Sequence, residues 1–195
     1  MSTVKHYPRS TFRLLSEDEL KLVWQWRNKA SIRANMHHDA LISWEQHQAW
    51  FKQLNTTGVV FFVMWQNKRP IGALYFQPHS DTGLEWGCYL GETDVWPGSG
   101  LLLEIAALDY ATAQSHCKTL HAEVLSFNHS VLKLHLLFGY REIDIIPSAS
   151  KRNDAHYQVH HFCYATADWQ SNRATILAKL PKQIANAATF IEFIN

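Results

Sequence analysis

A glycine-rich turn near the middle of the chain joins a predicted strand over residues 84–90 to a predicted helix over residues 101–114. The tripeptide Gly98-Ser99-Gly100 lies directly before that helix. Glycines leave backbone N–H groups uncovered by side chains, and the start of a helix carries the positive end of its dipole. The turn therefore predicts a binding site for a pyrophosphate group. The alternative is a simple turn that only starts a helix.

A second strand–helix unit follows the first along the chain. A strand is expected over residues 120–125, and Asn128 precedes an apolar helix that ends near residue 138. Gly139 suits a left-handed helix cap, with Tyr140 as its hydrophobic partner. The presence of this second unit favours the pyrophosphate site over the simple turn.

Size, charge and cysteine content limit the class of protein. A chain of 195 residues is long enough for one domain with a substantial core. The formal net charge is +1 and no Lys/Arg cluster occurs, so the chain lacks the basic surface typical of nucleic-acid binding. Three cysteines at wide spacing predict reduced thiols. The chain begins without an apolar signal segment, and its strongly apolar stretch over residues 59–65 is too short to span a bilayer. We expect a cytoplasmic protein without nucleic-acid or membrane partners.

The predicted elements follow the order β-α-α-β-β-β-α-β-α-β-β. Ser16 with Glu19, and Ser43 with Gln46, form capping boxes that start the first two helices. This order predicts an α+β fold in which a mixed, mostly antiparallel sheet of about seven strands is flanked by helices.

The C-terminal third is expected to contain a polar loop over residues 147–154 between the last two strands. A final helix is expected over residues 168–180, with Asp168 as its cap and Pro181 as its stop. Residues 1–180 are expected to form a single domain. Residues 181–195 form a tail without a clear core of its own, which we expect to dock on the body or on a partner.

Over roughly residues 11–166, this order resembles the GNAT N-acetyltransferases. In that family a turn after the fourth strand binds the pyrophosphate of coenzyme A through backbone N–H groups. The family pattern Gln/Arg-x-x-Gly-x-Gly/Ala reads Val95-Trp-Pro-Gly98-Ser99-Gly100 here, so Val95 replaces the leading polar residue.

The N-terminal third is similar to a narrower group, the N-acetyltransferases of pseudaminic acid biosynthesis. These act on the 4-amino group of a UDP-linked 4-amino-4,6-dideoxy-altrosamine. The similar sequence motifs are Trp26-Arg27-Asn28, Ile32-Arg33-x-x-Met36, Ile42-Ser43-x-Glu45-x-His47-x-x-Trp50 and Leu120-x-x-Glu123-Val124. The resemblance implies an acetyl-CoA-dependent enzyme with a small nucleotide-sugar substrate, and it leaves a homodimer open. Ribosomal-protein N-termini and polyamines are alternative acceptors, and a coenzyme A-binding module without turnover is the alternative from another class.

The resemblance also implies a path for acetyl-CoA. The pantetheine arm is expected beside the backbone of Cys88, Tyr89 and Leu90, and the Tyr89 N–H is a candidate donor to the developing oxyanion. Asn128 is expected to contact the cofactor from the start of the next helix. The residues expected to surround the pyrophosphate are Trp96, Gly98, Ser99, Gly100 and Leu101, with a hydroxyl contact from Ser99.

Acetyl transfer needs groups that move protons, and three side chains are candidates. His135 occupies the position where many relatives carry a tyrosine that protonates the coenzyme A thiolate, and an imidazolium can supply that proton. The alternative for His135 is a core histidine. Glu85 is a candidate base acting through water, and Glu123 a candidate contact to substrate or water. Solubility residues at strand edges are the alternative for both carboxylates.

The remaining candidates form a predicted substrate wall. Arg27 can pair with a diphosphate or a sugar oxygen, and Met36 and Trp50 offer apolar contacts. His47 shares a helix face with Trp50 and is a candidate sugar contact or proton acceptor, whereas helix packing is the alternative for this pair. The wall consists of Arg27, Met36, His37, His47 and Trp50. The histidine and cysteine spacings match no zinc motif, so no metal is expected, and no Gly-Lys-Ser/Thr follows the glycine turn.

Overall fold

The computed structural model describes residues 7–152 and 154–194 as one sheet covered by helices. The strands are β1 (Ser10–Leu14), β2 (Val60–Gln66), β3 (Arg69–Ser80), β4 (Gly83–Leu90), β5 (Thr119–Leu125), β6 (Arg141–Arg152), β7 (Ala155–Ala165) and β8 (Ile191–Ile194). The helices are α1 (Glu17–Asn28), α2 (Ala30–Arg33), α3 (Trp44–Thr57), α4 (Ser99–Ala113), α5 (His129–Phe138), α6 (Thr166–Lys179) and α7 (Lys182–Ala187).

The strands form a single mixed sheet in the order β6-β7-β5-β4-β3-β2-β1-β8. Among the strand pairs of the described residues, only β4–β5 and β1–β8 are parallel, so the expectation of a mixed, mostly antiparallel sheet in an α+β fold is confirmed. The sheet has eight strands, because the C-terminal segment adds β8 beside β1.

Alternate residues of the central strands enter two apolar clusters on opposite faces of the sheet. Phe62, Leu74 and Trp86 belong to the larger cluster, which also contains the inward side of α4. Phe61 and Ala73 belong to the smaller cluster, which packs against α1 and α3. The sheet therefore separates an α4 side from an α1 side, and any group that reaches across it must pass where the strands part.

Strands β4 and β5 part after a short stretch of pairing. Residues 83–85 pair with residues 119–121. Beyond them β4 continues to Leu90 beside β3 alone, and β5 continues to Leu125 beside β7 alone. This gap between residues 86–90 and 122–125, the β4–β5 opening, leaves one backbone edge of each strand without a strand partner. Helices α4 and α5 follow the two strands that border the opening, after they end at Leu90 and Leu125.

The predicted helix signals at Ser16, Ser43 and Gly139 are confirmed. Both capping boxes form, Ser16 with Glu19 and Ser43 with Gln46. Gly139 ends α5 in the left-handed conformation with φ of 95°, and its N–H donates to the His135 carbonyl oxygen at 3.1 Å. None of the helices in the described parts of the chain has the length and apolarity that a membrane crossing needs.

Two local expectations for the C-terminal third are wrong. Most of the predicted polar loop is strand, because β6 and β7 continue as a hairpin to Arg152 and from Ala155. The last long helix begins at Thr166, whose hydroxyl donates to the Cys117 carbonyl oxygen at 2.9 Å. Asp168 lies in the first turn of α6, where its carboxylate interacts favourably with the helix dipole but does not cap the helix.

The C-terminal tail docks on the body of the protein. Strand β8 pairs in parallel with β1, and Phe193 stacks on Phe12 with ring centroids 4.8 Å apart. Helix α7 places Ile184, which is 2% exposed, against the glycine turn before α4. The tail thus stabilises the segment that starts α4.

Candidate active site

The start of α4 presents free backbone donors. The N–H groups of Gly100 and Leu101 have no acceptor among the described residues, as expected for the first turn of a helix. Apart from its chain neighbours and the nearby backbone of α4 itself, no atom lies within 4 Å of the position that a Cβ on Gly100 would occupy. A ligand can therefore approach this backbone closely, and an anion there would also gain from the helix dipole.

Gly98 has a different reason to be glycine. Its φ of 110° is one that side chains rarely adopt, and a Cβ would lie 2.1 Å from the Ile184 Cδ1 atom. Gly98 therefore shapes the turn, whereas Gly100 keeps the donors accessible. Trp96 is partly buried, and its carbonyl oxygen accepts a hydrogen bond from the Ser99 N–H at 3.0 Å.

The predicted hydroxyl contact from Ser99 to a pyrophosphate is wrong, because the side chain points inward. Ser99 is 1% exposed, and its hydroxyl lies 2.9 Å from Gln66 Oε1 and 2.8 Å from the Trp96 carbonyl oxygen. The Gln66 amide in turn donates to the Ser10 hydroxyl at 3.0 Å. This buried chain anchors the turn to β1 and β2.

Replacing Ser99 by alanine should therefore lower stability and leave cofactor binding unchanged. The Gln66 oxygen would lose its buried donor, which costs about 1–3 kcal/mol in the free energy of unfolding. Urea unfolding measures this loss, and calorimetry with coenzyme A should give a Kd within about twofold of the original protein. A large loss of affinity with unchanged stability would contradict the inward role of Ser99.

On the α4 side of the opening, residues 86, 88 and 90 of β4 pack against the larger cluster. Burial raises the pKa of the Cys88 thiol, which keeps it uncharged and unsuited to be a nucleophile. His135 is 3% exposed in this core, and its Nδ1 lies 3.1 Å from Glu104 Oε1. Asn128 precedes α5 without capping it, and its Oδ1 accepts from the Ser130 hydroxyl at 3.3 Å.

On the α1 side, Gly87 makes room for the partly buried side chain of Tyr75. A Cβ on Gly87 would lie 2.3 Å from the Tyr75 hydroxyl, and burial raises the pKa of Tyr75 to about 12. Burial also raises the pKa of Tyr89, which lies in the same cluster. Both phenols are therefore protonated near neutral pH and available as hydrogen-bond donors.

Arg27 lies beside these two tyrosines and keeps an unused donor. Its Nη2 donates to the His38 carbonyl oxygen at 3.0 Å, while Nη1 is fully buried without a partner among the described residues. Burial, as the main effect, lowers the pKa of Arg27. An unpaired buried guanidinium nitrogen is costly, so an oxygen atom from a ligand would fit here.

Glu123 connects three elements on this side. Its carboxylate lies 3.0 Å from His37 Nε2 in the segment after α2 and 3.3 Å from His161 Nδ1 on β7. All three side chains are partly exposed, so water and a substrate can reach them. His161 was not among the predicted site residues, because its position opposite Glu123 follows from the register of β5 and β7.

Glu85 has a different environment. It lies on the paired part of β4, where Gln77 Nε2 donates to it at 2.6 Å and His79 Nδ1 lies 3.7 Å away. The structure therefore separates the two predicted carboxylates. Glu123 borders the opening, and Glu85 lies where the strands are still joined.

The structure does not bring His47 and Trp50 to the opening. His47 is 4% exposed, and its Nε2–H donates to the Leu20 carbonyl oxygen of α1 at 3.0 Å. Its ring stacks on Trp50 at 5.0 Å, and Trp50 packs edge-on against Phe61 at 5.3 Å. Burial lowers the pKa of His47. Their place in the substrate wall is a wrong expectation, because this pair packs α3 against α1 and the sheet.

A cleft of about 750 Å³ lies beside His37 and the end of β5. The cleft is lined by one acidic residue, Asp39, and by the cationic and aromatic residues Arg33, His129, Arg152, His156, Phe127 and Tyr157. Arg152 also donates to the Met36 carbonyl oxygen at 2.7 Å and pairs with Asp39 at 3.2 Å. The β6–β7 hairpin thereby holds the segment that carries Met36 and His37.

Within residues 7–152 and 154–194, no group of three or more His, Cys, Asp or Glu side chains is arranged to hold a metal ion. The site instead fits a long ligand with an anionic end. It offers free N–H donors at the start of α4, unpaired strand edges along the opening, and polar groups on the α1 side.

Comparisons with known proteins agree with this geometry. A family model described as an acetyltransferase (GNAT) domain matches residues 9–141. The chain is 30% identical over 125 residues to acetyltransferase PseH of Campylobacter jejuni strain NCTC 11168, an alignment that covers 64% of this chain and 78% of the relative. PseH of a second strain of that species, 81-176, is 29% identical over the same length.

Solved structures share the fold at low identity. Spermidine N-acetyltransferase from Vibrio cholerae, in complex with CoA and spermine, superimposes with a TM-score of 0.74 at 17% identity and covers 83% of this chain and 98% of its own. An N-acetyltransferase from Staphylococcus aureus Mu50 gives a TM-score of 0.70 at 18% identity, with coverage of 80% and 98%. The chain therefore belongs to the GNAT family of acetyltransferases and is an enzyme that uses acetyl-CoA.

Proposed function

We propose that this enzyme transfers acetyl from acetyl-CoA to the 4-amino group of a UDP-linked amino-deoxy sugar. The observation that carries the proposal is the cleft lined by arginine, histidine and aromatic side chains, which borders the segment that carries His37, the residue in contact with Glu123. Arginine and histidine side chains suit a diphosphate, and tyrosine or phenylalanine suits a nucleobase. The sequence identity of 29–30% to acetyltransferase PseH agrees with the similarity of the N-terminal third to enzymes of pseudaminic acid biosynthesis.

The charge of the cleft argues against the alternative acceptors. Polyamines and the basic N-termini of ribosomal proteins are cations. The two arginines of the cleft, Arg33 and Arg152, outnumber its one acidic residue, Asp39, so the cleft keeps an excess of positive charge that disfavours them. An anionic nucleotide would gain from the same charges. This difference in sign is why we favour the nucleotide sugar.

In the proposed arrangement the cofactor lies along the β4–β5 opening. Bound acetyl-CoA supplies an acetyl group activated as a thioester. The N–H groups of Gly100 and Leu101 bind its pyrophosphate, and the unpaired edge of residues 86–90 binds the pantetheine amides as an added strand would. The Tyr89 N–H is the proposed donor to the thioester oxygen, and Asn128 is a proposed contact at the start of α5.

The acceptor lies on the α1 side in this proposal. Glu123, held by His37 and His161, accepts the proton of the attacking amine directly or through a water molecule. Arg27 offers its unpaired Nη1 to an oxygen of the substrate. Glu85 is the weaker candidate for the base, because its carboxylate already accepts from Gln77.

A thiol-release assay tests the proposal. Acetyl-CoA would be offered with a UDP-linked 4-amino-4,6-dideoxy sugar, with spermidine, and with ribosomal-protein N-terminal peptides. We expect free thiol with the nucleotide sugar and a product acetylated at its 4-amino group by NMR. Thiol release with spermidine or peptides alone would overturn the sugar assignment. Coenzyme A binding without thiol release from any acceptor would favour a non-catalytic module.

Replacing Arg152 by alanine should weaken acceptor binding selectively. The segment that carries Met36 and His37 would lose its anchor, and the cleft would lose a cation. We expect the KM for the nucleotide sugar to rise about tenfold, equivalent to about 1.4 kcal/mol, with an unchanged Kd for coenzyme A. Arg141→Ala, at the opposite end of β6, is the matched control. Equal effects of the two variants would contradict a specific role for Arg152.

A further inference from the structure

A buried ionisable pair lies in the larger apolar cluster. Glu104 on α4 is 2% exposed and His135 on α5 is 3% exposed. On α4 the residues around Glu104, from Leu102 to Leu108, are otherwise apolar and buried. A carboxylate in such surroundings is costly unless a partner shares its charge or its proton. The helix therefore carries a group that packing alone does not require.

The geometry links Glu104 to His135 and leaves unused hydrogen-bonding capacity. The imidazole Nδ1 lies 3.1 Å from Glu104 Oε1, and the ring stacks on Tyr140 at 4.6 Å. Trp86 lies 5.7 Å from the imidazole ring, centroid to centroid. The Nδ1–Oε1 contact is close without being a well-aligned hydrogen bond, and two further buried atoms, Tyr140 Oη and Trp86 Nε1, have no hydrogen-bond partner among the described residues. Such unsatisfied groups are rare in native cores and call for an explanation.

The pair lies next to the opening. Trp86 is the first residue of β4 beyond the last pair with β5, and it contacts the imidazole. Cys88, two residues further on the same face, has its pKa raised by burial first and by the Glu104 charge second. In the proposed function the thioester end of the cofactor lies along these same residues.

We propose that Glu104 is a positioning residue that keeps the proton of His135 on Nδ1 and stabilises the imidazolium, so that Nε2–H can protonate the leaving thiolate. This inference rests on the proposed acetyl transfer. The new C–N bond forms as the C–S bond breaks, and the bonding pair goes to sulfur. His135 gives its Nε2 proton to that sulfur and remains as the neutral Nδ1–H form, held by Glu104. The amine proton leaves through Glu123, and His135 regains a proton from solvent.

The surroundings of the pair support this division of roles. The titratable groups packed around it are Tyr140, Tyr164 and Cys88. Burial raises the pKa of each of them, so all three are uncharged near neutral pH. Glu104 and His135 are therefore in contact with each other and not with another charged group in this part of the core. A carboxylate on one ring nitrogen selects the tautomer and favours the cationic ring.

A set of four proteins tests the proposal: the original enzyme, Glu104→Gln, His135→Tyr and the double variant. We expect Glu104→Gln to lower kcat about 10–100-fold, with the KM of the acceptor and the Kd of coenzyme A within about twofold. The alkaline limb of its kcat–pH profile should move at least about one unit to lower pH. A tyrosine that acts as the general acid needs no carboxylate to set a tautomer. In the His135→Tyr background, Glu104→Gln should therefore lower kcat by less than about threefold.

Asp109→Asn is the matched control, because it also neutralises a carboxylate of α4 and removes an ion pair with Arg173. It should lower stability without moving the pH profile. Nitrogen NMR of His135 supplies a readout without turnover: the Nδ1–H form should dominate the neutral ring in the original protein and lose that dominance in Glu104→Gln.

An unchanged tautomer, an unchanged kcat, or equal losses in both backgrounds would overturn the role of Glu104. An original enzyme that binds coenzyme A without thiol release would instead indicate that the proposed function is wrong. The NMR result would still decide whether Glu104 sets the tautomer of His135.

Discussion

Replacing Gly100 by glutamate should abolish useful binding of coenzyme A while leaving the fold intact. The new carboxylate would lie beside the free N–H groups at the start of α4, where the pyrophosphate is proposed to bind. Like charges in one binding site cost several kcal/mol. We expect about 3 kcal/mol, or about a 100-fold rise in Kd by calorimetry.

Stability should move in the opposite direction to affinity in this variant. A Cβ on Gly100 would meet no atom within 4 Å outside its own stretch of α4, and glutamate favours a helix over glycine by roughly 0.5 kcal/mol. A carboxylate in the first turn also stabilises the helix through its dipole. The melting temperature should therefore be equal or slightly higher. A protein that lost binding because it was partly unfolded would instead melt at a lower temperature.

The control is Ala167→Glu, which adds the same charge to the first turn of α6, away from the opening. It should leave the affinity for coenzyme A unchanged. If Gly100→Glu binds coenzyme A as tightly as the original protein, the pyrophosphate does not bind at α4.

Replacing Glu123 by glutamine should lower kcat about 100-fold, as expected for removal of a general base. The amide can still accept a hydrogen bond but cannot take up the amine proton near neutral pH. The contacts with His37 and His161 are partly exposed, so their loss should cost little stability. The affinity for coenzyme A should stay the same, because this carboxylate lies on the acceptor side. Steady-state kinetics and calorimetry measure the two effects separately.

A neighbouring pair provides the control for Glu123. Glu142 contacts His160 Nδ1 at 2.5 Å, and His160 points to the face of β7 opposite His161. Glu142→Gln therefore removes a similar carboxylate–imidazole contact from the same part of the sheet. It should keep kcat within about twofold of the original value. A comparable loss in both variants would indicate that general disturbance of β7, and not proton transfer, limits the rate.

Much of the fold was predictable because its signals are local. Capping boxes at Ser16 and Ser43, and the left-handed Gly139, depend on residues within one helical turn. The glycine turn before α4 is of the same kind. The C-terminal strand was not predicted, because residues 191–194 form a strand only by pairing with β1 at the other end of the chain.

The polar residues of the site were harder to predict. His47 and Ser99 carry groups that suit a ligand, but each finds a buried partner within the protein. His161 reaches Glu123 only through the register of β5 and β7. Glu104 had a usable signal, since it is a single charge within the apolar run of α4. Its partner His135 could be known only from the packing of two helices.

The central claim is that coenzyme A lies in the β4–β5 opening with its pyrophosphate at the start of α4. A crystal structure of the complex with coenzyme A tests it most directly. We expect pyrophosphate oxygens within hydrogen-bond distance of the Gly100 and Leu101 nitrogens, and pantetheine amides along residues 86–90. A cofactor bound elsewhere, with these nitrogens still facing solvent, would contradict the claim.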